Sequence, residues 1–444
     1  MISRRVIVCL AALFCAALPA NDVLAQAPTG KVTVITSFSK DVTDPFKRSF
    51  EKAYPGTTLE VQNRNTNAGV KYVEETKGNN QVDLFWASAP DAFEVMKGKG
   101  LLQKIQPKAE GIPEKVGSFP INDPDGFYFG FAASGYGIMW NERYVKANKL
   151  PEPKEWSDLA KAPYFDHISI AAPSRSGTTH LTVETVLQGE GWDKGWRTIK
   201  ELAGNFRQVT ERSFGVPEAV NSGQVGYGIV IDFFAFSGQA SGFPVKFVYP
   251  TVTTIVPANV AVIANAPNKA GAEAFVNFLL SPEGQAVLLE PSIMRLPVNP
   301  AVYAKAPPSL PNPFKDKSLG AQVKFDVNVS EKRTNAVDTL FDQLITFQLD
   351  GLKGATKAVH DAEAAVAKKD NAKAKALIKE ARDLIAAMPV SDKEVVSPEI
   401  AGSFTGAKEK GSRQAELEQK WAAFAKDRYA QARAKAEEAA KLAR

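Results

Sequence analysis

Lys31-Val32-Thr33-Val34-Ile35-Thr36, then an apolar-periodic run from Asp44 to Tyr54, then Thr57 to Val61: the opening of the chain reads strand, helix, strand. The outer two runs are short and β-branched or alternating, while Phe46, Phe50 and Ala53 recur at helical spacing between them. The same grammar continues outward. Val70 to Lys77 reads as a helix, Val82-Asp83-Leu84-Phe85-Trp86 as a third strand, and Ala89 to Gly98 as a helix closed by glycine. Strands that alternate with helices imply a parallel sheet covered on both faces, because parallel neighbours need a crossover between them.

The middle of the chain repeats this pattern. Tyr128–Ala133 and Tyr136–Trp140 read as two strands, and His167–Ala172, Phe206–Thr210, Val225–Ile231 and Val260–Ala264 as four more. Helices are expected over Thr178–Leu187, Trp192–Ala203, Phe214–Val220 and Lys269–Leu280, and Ser281-Pro282-Glu283-Gly284 opens another with proline early. Two α/β units, with the chain crossing twice between them, are the simplest arrangement. Beyond the proline-rich stretch 307–313 the composition shifts. Val337, Leu340, Phe341, Leu344 and Phe347 make one apolar helical stripe, and Leu377, Leu384, Ile385 and Met388 another. After a break from Pro389 to Gly411, a last helix carries Leu417, Trp421 and Phe424. Sustained heptads are missing, which favours packing within the chain over a partner coiled coil.

At the N-terminus, Arg4 and Arg5 precede an uncharged apolar run from Val6 to Leu18, broken by Pro19 and followed by Val23-Leu24-Ala25. A run of about 13 residues is too short to span a bilayer and suits a secretory signal. Residues 1–25 are therefore read as a signal peptide cleaved near Ala25, with export to the periplasm. Both cysteines, Cys9 and Cys15, fall inside it, so no thiol nucleophile, disulfide or cysteine metal site is expected in the mature chain. The formal net charge of +5 comes from lysines interspersed with acids, a solvated surface rather than a nucleic-acid face.

In parallel sheets ligands bind where strands run out into helix starts. The turns there are rich in hydroxyls: Ser37-Phe38-Ser39, then Arg64-Asn65-Thr66-Asn67, then Trp86-Ala87-Ser88. The sharpest is Ser174-Arg175-Ser176-Gly177-Thr178-Thr179, where glycine would admit an oxyanion to the backbone and a helix start offers unpaired N–H groups. Ordinary N-capping by serine or threonine is the plainer alternative. Arg212 can pair with a ligand oxyanion, and Asp232 can meet a ligand hydroxyl or cation, or cap a helix. The candidate ligand-binding set is thus Ser37, Ser39, Arg64, Asn67, Ser88, Ser174, Ser176, Gly177, Thr178, Thr179, Arg212 and Asp232. Enzyme signals are poor. The three histidines, His167, His180 and His360, match no zinc spacing, and neither a G-x-S-x-G elbow nor a Walker loop is present. No catalytic residue, metal or cofactor is expected.

Several of these segments, in this order, resemble a family-1-type extracellular solute-binding protein, in the branch with ferric-ion and phosphorylated-solute receptors. They are Val32–Thr36, Val82–Phe85, Ser174–Thr179, Asn221–Gly228, Asn259–Ala264, Lys269–Leu280, Ser281–Gln285 and Leu296–Pro300, covering roughly residues 30 to 303. The resemblance implies an α/β, two-lobed, hinged periplasmic-binding-protein fold (type II) with a C-terminal helical extension. Lobe one would comprise 27–135 and 259–330, lobe two 136–258, and the extension 331–444. It implies delivery of a small anionic solute to an ABC permease in the inner membrane, with a sensor kinase's periplasmic domain as the alternative partner of the extension. Iron-binding members carry a histidine, a glutamate and a tyrosine pair where this chain has Ser39, Ser88 and Phe233-Phe234. Serine and phenylalanine are poor ferric ligands, which leaves phosphorylated organic solutes such as phosphoglycerate, phosphoenolpyruvate or a sugar phosphate.

Overall fold

The computed structural model describes residues 28–404 and 411–443; the expected signal peptide, with both cysteines, lies outside them. The strands are β1 Gly30–Thr36, β2 Thr57–Asn63, β3 Leu84–Ala87, β4 Lys115–Val116, β5 Phe119–Pro120, β6 Phe129–Asn141, β7 Ile168–Ala171, β8 Phe206–Thr210, β9 Tyr227–Ile231, β10 Val245–Val248, β11 Ile255–Val262 and β12 Leu296–Pro297. Apart from the β4–β5 hairpin they join one mixed sheet in the order β2-β1-β3-β11-β6-β9-β7-β8, with β10 and β12 also paired to β6. β1 is parallel to β2 and β3, and β7 to β8 and β9, so each end of the sheet is a parallel, helix-crossed unit. Between them β6 pairs antiparallel with β11 along its first half and with β9 along its second. The part built on β1–β3 is the first lobe and the part built on β7–β9 the second.

Where two strands are expected at 128–140, the chain forms one continuous strand of 13 residues, buried throughout. Its glycines account for the difference. A methyl group on Gly135 would lie 2.6 Å from Ile255 Cδ1, and one on Gly137 would lie 2.2 Å from the Val248 carbonyl oxygen. These glycines mark neighbouring strands pressed onto β6, not a turn between two segments. The helix Asp232–Ala240 and strand β10 are further elements that the periodicity does not announce.

The first lobe is cored by Val32, Val34, Phe46, Phe50, Trp86, Phe131 and Phe275. The extension has no core of its own. Its helices Val327–Leu344, Leu349–Lys368, Ala372–Ala386 and Gly411–Leu442 place Val337, Leu340, Phe341, Leu377, Ile385 and Trp421 in one cluster with Trp140, Ile168, Trp192 and Trp196 of the second lobe. Phe347 departs from the expected stripe. The helix ends at Leu344, the 3-10 turn Thr346–Gln348 redirects the chain, and Phe347 is left 61% exposed. Leu384, Met388 and Phe424 only edge the cluster. Within the expected break, the short helices Asp392–Val395 and Pro398–Ala401 form.

Candidate functional site

Each lobe sends strand ends and helix starts into the cleft between them. In the first lobe, β1 runs into Ser37-Phe38 and then Ser39, the N-cap of helix Lys40–Ala53, while β3 runs into Ser88 just before helix Pro90–Gly98. In the second, Thr178 lies in the first turn of helix Gly177–Glu190, Phe214 is the N-cap of helix Gly215–Asn221, and Phe233 and Phe234 lie in the first turn of helix Asp232–Ala240. Ser37, Phe38, Ser39, Ser88, Thr178, Ser213, Phe214, Phe233 and Phe234 line a pocket of about 330 Å³, its mouth included. The space left between these side chains is narrow, about 20 Å³, well below the size of a ligand pocket, so a solute enters only with the lobes further apart. Five helices thus begin at one pocket, whose lining supplies five hydroxyls, four phenyl rings and no charged side chain.

Unpaired N–H groups at helix starts, with the aligned peptide dipoles behind them, give such a pocket a positive potential. The hydroxyls add rotatable donors. Ser39 spends none of its capacity on capping, since its side chain makes no cap hydrogen bond. A larger hollow, about 1040 Å³, lies elsewhere, between helices Trp192–Ala203 and Ala372–Ala386. It is an open groove lined by both charges, Lys194 and Arg197 beside Asp193, Asp383 and Glu394.

Of the residues expected at the site, Ser37, Ser39, Ser88 and Thr178 meet at this pocket. The others are used differently. Ser176 is buried, and its hydroxyl accepts from the Thr179 backbone N–H and from Thr179 Oγ1, both at 3.1 Å. The pair is therefore an N-cap, the plainer of the two readings. Gly177 faces the first lobe: a Cβ there would stand 2.8 Å from Ala89 Cβ and 3.0 Å from Thr66 Oγ1. Asn67 Nδ2 donates to the Ser174 carbonyl at 3.1 Å and to Asp338 at 3.2 Å. Arg212 Nη2 donates to Asn63 Oδ1 at 2.9 Å. Asn67, Ser174, Gly177 and Arg212 therefore hold the lobes together across the cleft instead of lining the pocket. Arg64 lies over the Tyr72 ring at 4.0 Å. Asp232 is fully buried, and its carboxylate accepts from Gly135 N, Phe233 N and Tyr249 Oη, all at 2.7 Å. Burial pushes its pKa up to about 6. It is a framework anchor, buried behind the pocket and not part of its lining.

His180 is likewise structural. Nδ1 lies 2.7 Å from Asp338, and Nε2 lies 2.9 Å from Ser330 Oγ and 3.3 Å from Asp91. Burial opposes its charged form, but Asp338, Asp91 and Glu184 together raise its pKa to about 9. Asp91 is on the first lobe, His180 on the second and Asp338 on the extension, with Ser330 at the extension's boundary, so one imidazole joins all three parts. Among the described residues no cluster of three histidine, cysteine or carboxylate groups could hold a metal ion.

Sequence reading missed Ser213 and Phe214, which follow β8 by the same strand-to-helix rule but are masked by the charged pair Glu211-Arg212 before them. It also missed Arg295. This side chain is fully buried, and its Nη2 donates to Ser88 Oγ at 2.9 Å and Ser134 Oγ at 3.0 Å. The available signal was a lone cation inside the apolar run Ile293-Met294-Arg295-Leu296.

Residues 79–320 match the family described as bacterial extracellular solute-binding protein. The phosphoglycerate transport regulatory protein PgtC of Salmonella typhimurium is 30% identical over 344 residues, 76% of this chain and 82% of that protein. Among solved structures, the periplasmic binding protein AfuA of Actinobacillus pleuropneumoniae, with exogenous fructose-6-phosphate bound, superposes with a TM-score of 0.65 at 20% identity. That likeness covers 71% of this chain and 98% of AfuA. The periplasmic binding protein P5PA superposes at 0.63 with 21% identity, covering 71% and 99%. At these identities the structural likeness speaks for the two-lobed fold alone.

Proposed function

Since this chain belongs to the bacterial extracellular solute-binding proteins of ABC-type transport, we propose that its solute is a small phosphorylated organic anion, held in the interlobe pocket and handed to an inner-membrane permease. In this reading lobe one comprises residues 27–135 and 259–330, lobe two 136–258, and the extension 331–444. The observation that carries it is the convergence of five helix starts and five hydroxyls on a pocket without a carboxylate. A charge-assisted hydrogen bond contributes about 1.5–3 kcal/mol and a helix terminus about 0.3–1 kcal/mol. The hydroxyls would therefore supply most of the affinity, and the helix starts the preference for negative charge. The phenyl rings of Phe38, Phe214, Phe233 and Phe234 suit the carbon skeleton of an ester better than a bare inorganic ion. Ser39, Ser88, Phe233 and Phe234 offer no phenolate, imidazole or carboxylate to ferric iron.

Closure follows from the same geometry. Ser37, Ser39 and Ser88 belong to one lobe and Thr178 and Ser213 to the other, so a ligand touches both sets only when the lobes are together, and binding shifts the equilibrium by that difference. PgtC and AfuA carry phosphoglycerate and fructose-6-phosphate in their descriptions, which agrees with a phosphate ester here. PgtC is named a transport regulatory protein, and that favours, as the alternative, presentation of the loaded receptor by the extension to a sensor kinase's periplasmic domain. Native mass spectrometry of protein isolated from the periplasm without refolding tests the ligand. A co-purifying compound that loses a phosphate on fragmentation is expected; a neutral solute or a metal ion would overturn the reading.

A further inference from the structure

Arg295 is the largest charged side chain that is fully buried among the described residues. None of its surface reaches solvent. Its guanidinium sits among the rings of Phe233 at 4.5 Å, Phe38 at 5.1 Å and Phe131 at 5.6 Å. Two of those rings, Phe38 and Phe233, line the pocket, as does Ser88, which accepts from Nη2. The guanidinium therefore lies directly beneath the pocket floor. Nε and Nη1 have no hydrogen-bond partner among the described residues, and no carboxylate bridges it. Burial brings its pKa down to about 10 against the opposing pull of Asp232 and Tyr136, so it stays protonated at neutral pH. A buried guanidinium without an ion-pair partner is costly, and a fold that needed only volume at this point would do better with methionine or leucine.

Its hydrogen bond also constrains Ser88. A hydroxyl has one proton and two lone pairs. With Ser88 Oγ accepting from a cation, the hydroxyl proton is free to point into the pocket, and a hydroxyl polarised in this way is a stronger donor. We infer that Arg295 is the specificity-determining residue of the pocket: from beneath the floor it fixes and polarises Ser88 as a donor to the ligand's oxyanion, so that its positive charge, which no lining residue carries, is felt through that hydroxyl. This rests on the anionic reading of the ligand. Arg295 is a positioning residue; it acts through Ser88.

The test is a double-mutant cycle by calorimetry on the full mature chain, with 3-phosphoglycerate and fructose 6-phosphate as probes and glycerate and fructose as their dephosphorylated controls. Arg295→Met and Ser88→Ala should each weaken the phosphorylated probes about ten-fold or more, and together scarcely more than either alone, because both remove one coupled donor. Arg295→Lys should recover part of the loss, as a charge without the planar fork. Ser134→Ala removes the other partner of Nη2, outside the pocket, and should stay within about two-fold of wild type. The ratio between phosphorylated and dephosphorylated probes should fall in Arg295→Met, a change that loosened packing alone would not produce. Additive losses, an unchanged ratio, or wild-type binding by a folded Arg295→Met protein would overturn the inference. If Arg295→Met does not fold, Arg295→Lys and Ser88→Ala decide it, and equal discrimination in both and wild type counts against it. If wild type binds the dephosphorylated controls as tightly, the ligand reading falls by itself, and the cycle on those controls still judges the Arg295–Ser88 coupling. A wild type that binds none of the probes contradicts both.

Discussion

Ser176 and Thr178 stand two residues apart in one turn and do different work. The Ser176 hydroxyl is committed to capping, paired with Thr179 N and Oγ1, whereas Thr178 opens on the pocket. Ser176→Ala should therefore lower stability by about 1 kcal/mol, the usual cost of a lost N-cap, with ligand affinity little changed. Thr178→Val keeps the shape and removes the donor, and should weaken a phosphorylated ligand about ten- to a hundred-fold with the unfolding midpoint nearly constant. Paired calorimetry and thermal denaturation separate the two; the reverse pattern would mean the roles had been exchanged. At Gly177, valine would drive into Ala89 and Thr66 of the facing lobe. The expected outcome is a protein that folds normally but stays more open in small-angle scattering with ligand present. Ser37, Ser39, Ser88 and Thr178 were legible because a strand followed by a hydroxyl and a helix start is a local pattern. The cross-cleft roles of Asn67 and Arg212 were not, because their partners, Ser174 and Asn63, are remote in sequence and become neighbours only in the folded chain.

Three helices meet at His180: its own, Gly177–Glu190; Pro90–Gly98 with Asp91; and Val327–Leu344 with Ser330 and Asp338. The groups facing the imidazole are Asp91, Asp338, Glu184 and the Ser330 hydroxyl. Burial alone would push its pKa down, and the surrounding carboxylates overcome this, raising it from 6.5 to about 9. A histidine whose pKa is raised on folding binds its proton more tightly in the native state. Its contribution is fully present below pH 6.5 and is lost as the pH rises through about 9. Denaturation across pH 6 to 9.5 should show wild type losing stability toward the alkaline end relative to His180→Gln. Parallel curves would mean that the imidazole is neutral in the native protein. The sequence alone placed His180 on a helix beside a candidate site and could not assign it, since its partners come from three separate stretches of chain. The glycine-marked strand β6 failed to read as one element for a related reason: Gly135 and Gly137 are there for Ile255 and Val248, remote in sequence.

At the scale of the molecule, the extension and the second lobe share one core. Trp421 of the last helix is fully buried in the same cluster as Trp192 and Trp196. The apolar stripes of the extension were visible in the sequence, but a stripe says which face is buried and not what covers it. With a shared core, Trp421→Ala should destabilise by about 3–5 kcal/mol and shift the second lobe and the extension together in a single transition. Separate transitions would show that the extension is an independent domain. It also follows that deletion of residues 331–444 would uncover the second lobe's tryptophans, so point variants are the sounder probe of any partner surface. Above these details stands the question of whether this receptor recognises a phosphate ester. Calorimetry of the mature chain with 3-phosphoglycerate, phosphoenolpyruvate and fructose 6-phosphate, each beside its dephosphorylated counterpart, answers it most directly. One or more phosphorylated members should bind at least a hundred-fold more tightly than their counterparts; equal affinity for the two sets would contradict recognition of a phosphate ester at the converging helix starts.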